Sequence, residues 1–189
     1  MSATTAAPHP RIAELLAELE ASRRELLTVV NALPAEQRDS APTSDAWSVS
    51  QILEHLSIVE DGGGRLVSKL MKEAQANGDY EVESSSILDS LNQFDILNFD
   101  RRIEAPEQVK PRGGLTAAEG IERLHAVRER LVTALIQGSG LALGAVSHPH
   151  PLFGPLNGYQ WILVIAMHER RHAAQIRRQS NMRQKSACV

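Results

Sequence analysis

The stretch WILVIAMHERRHAAQI (residues 161–176) joins an apolar run to two histidines, His168 and His172, spaced four residues apart. On an α-helix this spacing leaves the two side chains about 40° apart, on one face. The apolar run is far shorter than the ~20 residues that a membrane-spanning helix needs. The stretch therefore predicts a helix of a helical bundle, from about Leu156 to Gln179, that carries two imidazoles on one face.

Three earlier segments also place apolar residues at helical spacing. They run from about Arg11 to Leu33, from Ser48 to about Ala76, and from Thr116 to about Gly138. Ser48 with Gln51, and Thr116 with Glu119, have the spacing of capping boxes, which mark helix starts. Four helices without strand-like alternation predict an all-α fold, a four-helix bundle.

A long connection separates the second and third predicted helices. Residues 77–114 contain serines, prolines and glycines, with a short apolar patch from Phe94 to Phe99. A connection of this length predicts a crossover or a lid. Within the second helix, Gly62-Gly63-Gly64 favours a kink or break over the close approach of another helix or a ligand. We expect one domain over residues 10–180, with flexible termini at 1–9 and 181–189.

Composition excludes several function classes. The chain has 189 residues, a net charge of −3 and 4% aromatic residues. The mixed charges show no basic face, so we expect no nucleic-acid or membrane partner. The single cysteine, Cys188, cannot form an internal disulfide, and it lies too near the chain end to be a designed nucleophile. The N-terminus lacks the pattern of a secretory signal, so a cytoplasmic location is expected.

The stretch His168-Glu169-Arg170-Arg171-His172 matches the H-E-x-x-H motif of zinc metallopeptidases, in which the glutamate is the general base. We reject that interpretation because those enzymes usually take a third ligand from downstream. After His172 the chain has no histidine, aspartate or glutamate. A third ligand must therefore come from upstream.

His55 is the best upstream candidate. It lies on the apolar side of the second predicted helix, between Ile52 and Leu56, where an imidazole needs a polar partner. It follows Ser48 by about 10 Å of helix, and the histidine pair precedes Gln179 by roughly 10–16 Å. If the two helices run antiparallel, the three rings lie at one level, which permits a shared metal.

Several segments resemble the DinB/YfiT-like family. They are Trp47–Leu56 with Glu60, Arg101–Pro106, His148-Pro149, Phe153-Gly154-Pro155-Leu156, Tyr159-Gln160-Trp161 and His168–Ile176. The resemblance covers about residues 10–180 and implies a four-helix bundle with one metal-binding histidine on the second helix and two on the fourth. In this chain they are His55, His168 and His172. The glycine triplet is not part of the family pattern.

Three neutral histidines leave a divalent cation with open coordination positions, as in catalytic sites, and imidazole suits zinc and nickel. The resemblance implies a metal-dependent transferase or isomerase that uses a low-molecular-weight thiol against an electrophilic small molecule, or else a hydrolase. The alternatives are a non-catalytic metal-binding or stress-response protein whose metal stabilises the bundle, and an interaction module with a vestigial site. Since bundles often pair through an apolar face, we expect a homodimer.

Other polar residues favour structural roles. For Glu169, a solvent-facing or salt-bridging role and support of the metal ligands are equally open. A structural role is expected for Glu60. Four arginines near the end of the chain are interpreted as a solvated face, from which one could instead bind a substrate carboxylate: Arg170, Arg171, Arg177 and Arg178. His148 and His150 are interpreted as loop or cap residues, and His125 as a residue at the polar edge of its helix. For Asn157, Tyr159 and Trp161, a capping and packing role is favoured over substrate contact.

Overall fold

The computed structural model describes residues 7–94, 96 and 104–187, in which four long helices form a bundle. The helices are α1 (Pro10–Asn31), the single turn α2 (Ala35–Arg38), α3 (Val49–Asn77), α4 (Ala117–Gln137) and α5 (Gly158–Ala187). The predicted fold class is confirmed. The last helix is longer than expected, since it continues to Ala187 instead of ending near Gln179.

Both predicted capping boxes are present and set the starts of α3 and α4. The Ser48 hydroxyl accepts from the Gln51 amide at 3.2 Å, and the Gln51 side chain accepts from the Ser48 amide at 2.9 Å. Thr116 and Glu119 make the same reciprocal pair. Each box satisfies amides that a helix start would otherwise leave without a partner. The start of α3 fixes where His55 falls along the bundle.

Helices α3 and α5 run antiparallel. Gln179 donates to the Trp47 carbonyl near the start of α3, whereas Gly63, farther along α3, faces Ile165 nearer the start of α5. Residues near the start of α3 therefore face residues late in α5, and residues farther along α3 face residues near the start of α5. This is the orientation that brings His55 to the level of the histidine pair.

Helices α3 and α4 run in the same direction, so the chain between them must return along the bundle. Leu53 faces Gly120, and Met71 faces Gly138. The predicted crossover is therefore present. In its described part, the crossover forms the 3₁₀ helices Leu88–Phe94 and Glu107–Val109.

The crossover contributes to the core. Ile87, Leu91 and Ile96 are buried in the larger apolar cluster, and Phe94 packs against it. The rest of the predicted apolar patch, residue 95 and residues 97–99, lies outside the described residues, as do residues 101–103. Within the described ranges, no helix has the length and apolarity to cross a membrane.

The glycine triplet does not interrupt α3, so the prediction of a kink or break was wrong. A Cβ atom at Gly63 would lie 3.0 Å from the Ile165 Cδ1 atom. The triplet therefore includes a point of close approach between α3 and α5, and tertiary packing overrides the weak helix propensity of glycine.

Replacing Gly62 by alanine should stabilise the protein by about 0.5–1 kcal/mol. A Cβ atom at Gly62 would have nothing within 4 Å, so the substitution removes unfolded-state freedom without a clash. Urea denaturation would measure the gain. Gly63→Ala is the matched control, and its gain should shrink or reverse because of Ile165. Equal gains for both variants would contradict the packing described for α3 and α5.

A two-stranded hairpin precedes α5, although no strand was expected from the sequence. Strand β1 (Ser147–His150) pairs antiparallel with β2 (Gly154–Asn157). The strands have four residues each, and β1 is too polar to show apolar alternation, which explains why the pattern was missed. The hairpin places His148 and His150 over the start of α5, where their rings lie near Trp161.

Candidate metal centre

Three histidines converge between α3 and α5. The Nε2 atom of His168 lies 3.3 Å from Nε2 of His55 and 3.1 Å from Nε2 of His172. Among the described residues, these three form the group of potential ligand atoms that lie within 4.8 Å of one another. The structure thus brings together all three residues that the sequence analysis selected.

Two of the imidazoles are held by hydrogen bonds at the opposite ring nitrogen. The His55 Nδ1 atom lies 2.7 Å from the Val109 carbonyl oxygen, and the His172 Nδ1 atom lies 2.8 Å from the Gln175 Oε1 atom. Since both oxygens can only accept, each Nδ1 must carry the proton. A neutral ring then has a lone pair on Nε2, directed at the common point.

The donor set fits a cation better than it fits a hydrogen-bond network. The Nε2 atom of His168 can carry one proton, so it can donate to His55 or to His172 but not to both. In at least one of the two contacts, the lone pairs of two Nε2 atoms therefore face each other without a proton between them. Nitrogens bound at 2.0–2.1 Å to a tetrahedral zinc ion would be separated by about 3.3 Å, close to the separations found here.

Burial keeps the three imidazoles neutral. His55 is 4% exposed and His172 is 8% exposed, whereas His168 is half-buried. Burial, followed by the nearby His55, lowers the pKa of His172 to about 3. Burial also lowers the pKa of His55, and it lowers that of His168 well below its ordinary value, with the other two histidines acting in the same direction. Neutral imidazole is the form that binds metal.

The metal-free protein should lose stability as the pH falls below about 6.5. Unfolded His172 takes up a proton near its ordinary pKa of 6.5, whereas the folded residue does so only near pH 3. The unfolded state therefore binds more protons in this window, and acid lowers the free energy of unfolding. Urea denaturation between pH 7.5 and 5.5 would show the slope in chelator-treated protein.

A His172→Ala variant is the control for this pH dependence, and its slope over the same range should be shallower than that of the wild type. An identical slope in the two proteins would show that His172 is not held neutral by the fold.

Glu169 belongs to a buried network of four charges beside the centre. Its carboxylate accepts from Arg23 Nε at 2.5 Å, from Arg128 Nη2 at 3.1 Å and from the Ser22 hydroxyl at 2.6 Å. Glu60 pairs with the same two arginines. Of the alternatives for Glu169, the salt-bridging role is therefore confirmed and the solvent-facing one was wrong, because the residue is 2% exposed.

Sequence reasoning did not select Arg23 and Arg128, although a signal for both was present. Arg23 lies within the apolar stripe that includes Leu19 and Leu26, and Arg128 follows Leu124 by one turn in the stripe of α4. Their exposures are 4% and 8%. A charged residue inside an apolar stripe needs a buried partner of opposite charge. Glu60 has the structural role that was expected, and burial raises its pKa, although Arg128 and Arg23 act in the opposite direction.

The arginines of α5 divide between two surroundings. Arg177 is exposed and pairs with Glu25 at 3.2 Å, as expected for a solvated face, whereas Arg170 is partly buried and pairs with Glu18 at 2.7 Å. Arg171 instead donates to the Ile96 carbonyl at 3.1 Å. Arg171 directly precedes His172 on α5, and its positive charge contributes to the lowered pKa of His168.

The other candidate residues stay outside the cluster of three histidines. His125 is exposed on α4, and His148 and His150 lie on the hairpin. Asn157 caps α5, since its side chain accepts from the Gln160 amide at 3.0 Å, and Tyr159 is a buried packing residue. Cys188 lies outside the described residues.

Comparison with known proteins agrees with the fold. The chain is similar to YuaE, an uncharacterized protein of Bacillus subtilis (strain 168), with 25% identity over 157 residues that cover 82% of this chain and 91% of that protein. The structure of the present chain resembles the crystal structure of TT2238, a four-helix bundle protein, with a TM-score of 0.60 and 22% sequence identity. The match covers 88% of this chain and 98% of that chain. A sequence profile of the DinB superfamily matches residues 18–176, a range that includes all three clustered histidines. The chain belongs to the DinB superfamily.

Proposed function

We propose that His55, His168 and His172 bind one zinc or nickel ion and that the protein is a metal-dependent enzyme. The observation that supports this proposal is the convergence of three Nε2 atoms, two of them on rings whose Nδ1 protons are already donated elsewhere. A three-histidine set leaves at least one coordination position open, which is the arrangement of catalytic sites.

His168 is the least buried of the three ligands, so in this proposal a small molecule approaches the centre from its side. When bound, the ion would lower the pKa of a thiol or a water molecule and so supply a nucleophile near neutral pH. We propose that the nucleophile is a low-molecular-weight thiol, which loses its proton to solvent and forms a carbon–sulfur bond with an electrophilic small molecule. The bond broken is that to a leaving group such as chloride, or the C–O bond of an epoxide, whose oxygen then takes up a proton. In the hydrolase alternative, the ion would activate a water molecule in place of the thiol.

The protein's own residues orient the ligands and supply a positive charge. Val109 and Gln175 hold the rings of His55 and His172 with Nε2 directed inward. Arg171, the residue before His172 on α5, contributes a positive charge that would attract a thiolate or a substrate carboxylate. Glu169 is no candidate for the general base of a peptidase, since Arg23, Arg128 and Ser22 occupy its carboxylate.

Metal content and turnover test the two parts of this proposal. After reconstitution with zinc or nickel, elemental analysis should find about one ion per chain, and much less in His55→Ala. Turnover of chloronitrobenzene or an epoxide should then require both the metal and a bacterial thiol. Substoichiometric metal in the wild type would overturn the metal site. Full metal with no turnover across several thiols would overturn the transferase activity.

A second candidate is a non-catalytic metal-binding protein, favoured by the fact that the three ligands join α3 to α5. In that case the ion would act mainly as a cross-link between the two helices. A large metal-dependent rise in melting temperature, together with no binding of small ligands at the centre, would support this candidate over the enzyme.

A further inference from the structure

One of the protein's two tryptophans, Trp47, contacts the cluster of three histidines through His55, and the other, Trp161, lies on the same helix as His168 and His172. The ring centroid of Trp47 is 5.0 Å from that of His55. Trp161 precedes His168 by seven residues on α5, which returns it to the same helix face roughly 10 Å along the axis. Since α3 and α5 are antiparallel, the two indoles flank the centre along the bundle.

Four rings form a continuous group around Trp161, which we call the aromatic wall: Phe94, His150, Phe153 and Trp161. The His150 ring stacks on Phe153 at 4.5 Å with an interplanar angle of 15°. Phe153 also contacts Phe94 at 5.2 Å, and His150 contacts Trp161 at 4.9 Å. The rings come from three elements, the crossover, the hairpin and α5, so the fold assembles the wall from distant parts of the chain.

The hairpin holds the wall in place. The Trp161 indole donates to the His148 carbonyl at 3.1 Å, and Leu156 of β2 is fully buried beneath the hairpin. Gly154 begins β2 with φ of 73°, a conformation that favours glycine. A preordered surface of this kind can bind a ligand without first losing conformational freedom.

The wall adjoins the three histidines and is not part of the sealed core. The His150 ring contacts Trp161 at 4.9 Å, and Trp161 lies two turns before His168 on the same face of α5, so the wall begins roughly 10 Å from the centre along the helix. Phe94, Phe153 and Trp161 pack against the apolar core, yet each is only partly buried. Each of these rings therefore keeps some surface available to a ligand.

We propose that the aromatic wall binds the planar ring of an aromatic substrate whose reactive group lies at the three histidines. This inference rests on the proposed function, because it takes the metal centre as the place of reaction. Small-molecule sites combine apolar and aromatic surface with a few polar groups, and here Arg171 and the histidines are the polar groups. Stacked and edge-to-face ring contacts favour a flat aromatic group over a saturated ring of similar size.

Three hydroxamates that bind zinc through the same head group provide the test. Acetohydroxamate reports binding at the ion alone, benzohydroxamate adds a planar ring, and cyclohexanecarbohydroxamate adds a saturated ring. Calorimetry on zinc-loaded protein should show benzohydroxamate binding about tenfold tighter than the cyclohexane compound. Trp47 beside His55 should respond to any bound hydroxamate, so the fluorescence change with benzohydroxamate should exceed that with acetohydroxamate, and Trp161→Leu should remove this excess.

Variants separate the wall from the metal centre. Phe153→Leu and Trp161→Leu should each remove most of the preference for the planar ring while leaving acetohydroxamate affinity within about twofold of wild type. Leu152→Ala is the matched control, since this residue is next to Phe153 on the hairpin but 53% exposed. Its ring preference should equal that of the wild type.

The outcomes distinguish the two proposals. Zinc and acetohydroxamate binding without any preference for the planar ring would overturn the wall and leave the metal centre intact. A preference that survives both Phe153→Leu and Trp161→Leu would also overturn it. Absence of zinc binding in the first titration would overturn the metal centre, and the wall as a substrate site would be refuted with it.

Discussion

Replacing Arg23 by methionine should destabilise the protein by about 3–5 kcal/mol. Arg23 donates to Glu169, to Glu60 and to the Leu124 carbonyl, and it is 4% exposed. Without it, two buried carboxylates share one remaining guanidinium, that of Arg128. A buried charge that is incompletely compensated lowers the free energy of unfolding far more than the loss of a surface ion pair does. Urea denaturation near pH 7 would measure the change.

Arg24→Met is the matched control for this effect. Arg24 is the next residue on α1 and is exposed, so its replacement should change stability by no more than about 0.5 kcal/mol. A cost below 1 kcal/mol for Arg23→Met would show that the network is open to water and does not hold buried charges.

Removing all four charges together should be far less harmful than removing one. Replacement of Arg23, Glu60, Arg128 and Glu169 by apolar residues of similar volume leaves no buried charge without a partner, and such exchanges are often neutral or stabilising. Metal affinity of this variant is informative because Glu169 lies between His168 and His172 on α5. If the ion pairs set the rotation of α5, affinity should fall although stability does not.

The fold was predictable where short-range patterns determine it. The capping boxes at Ser48 and Thr116 located two helix starts, because a cap needs only residues three positions apart. The spacing of His168 and His172 likewise put both rings on one face. The convergence with His55 needed one further step, the antiparallel orientation of two helices, which the sequence could suggest only through the matching distances along each helix.

Features that depend on several elements at once were not predictable. Arg23 could have reached solvent with its charged end, and only the rotation of α1, α4 and α5 brings it to Glu169. Val109 lies in a 3₁₀ turn of the crossover, so its contact with His55 depends on the path of a loop. The prediction for the glycine triplet was wrong because the environment of Gly63 is set by Ile165, which lies on another helix.

Zinc should raise the melting temperature of the wild type by about 8–16 °C when free metal is near a thousand times the Kd. Binding at that concentration stabilises the folded state by roughly 4 kcal/mol. In a protein of this size each kcal/mol shifts the midpoint by about 2–4 °C. The effect arises because the ligands lie on α3 and α5, so the bound ion opposes separation of these helices.

His55→Ala should abolish this shift, because it removes the ligand on α3 and leaves only the pair within α5. His125→Ala is the matched control, since that imidazole is exposed on α4, and it should retain the full shift. Gln175→Leu should give a smaller shift than wild type, because the His172 ring loses the acceptor at 2.8 Å that holds its Nδ1 proton. Thermal unfolding followed by circular dichroism, with and without chelator, would order the four proteins. An equal rise in melting temperature in His55→Ala and wild type would mean that α3 contributes no ligand, and it would contradict a site formed by all three histidines.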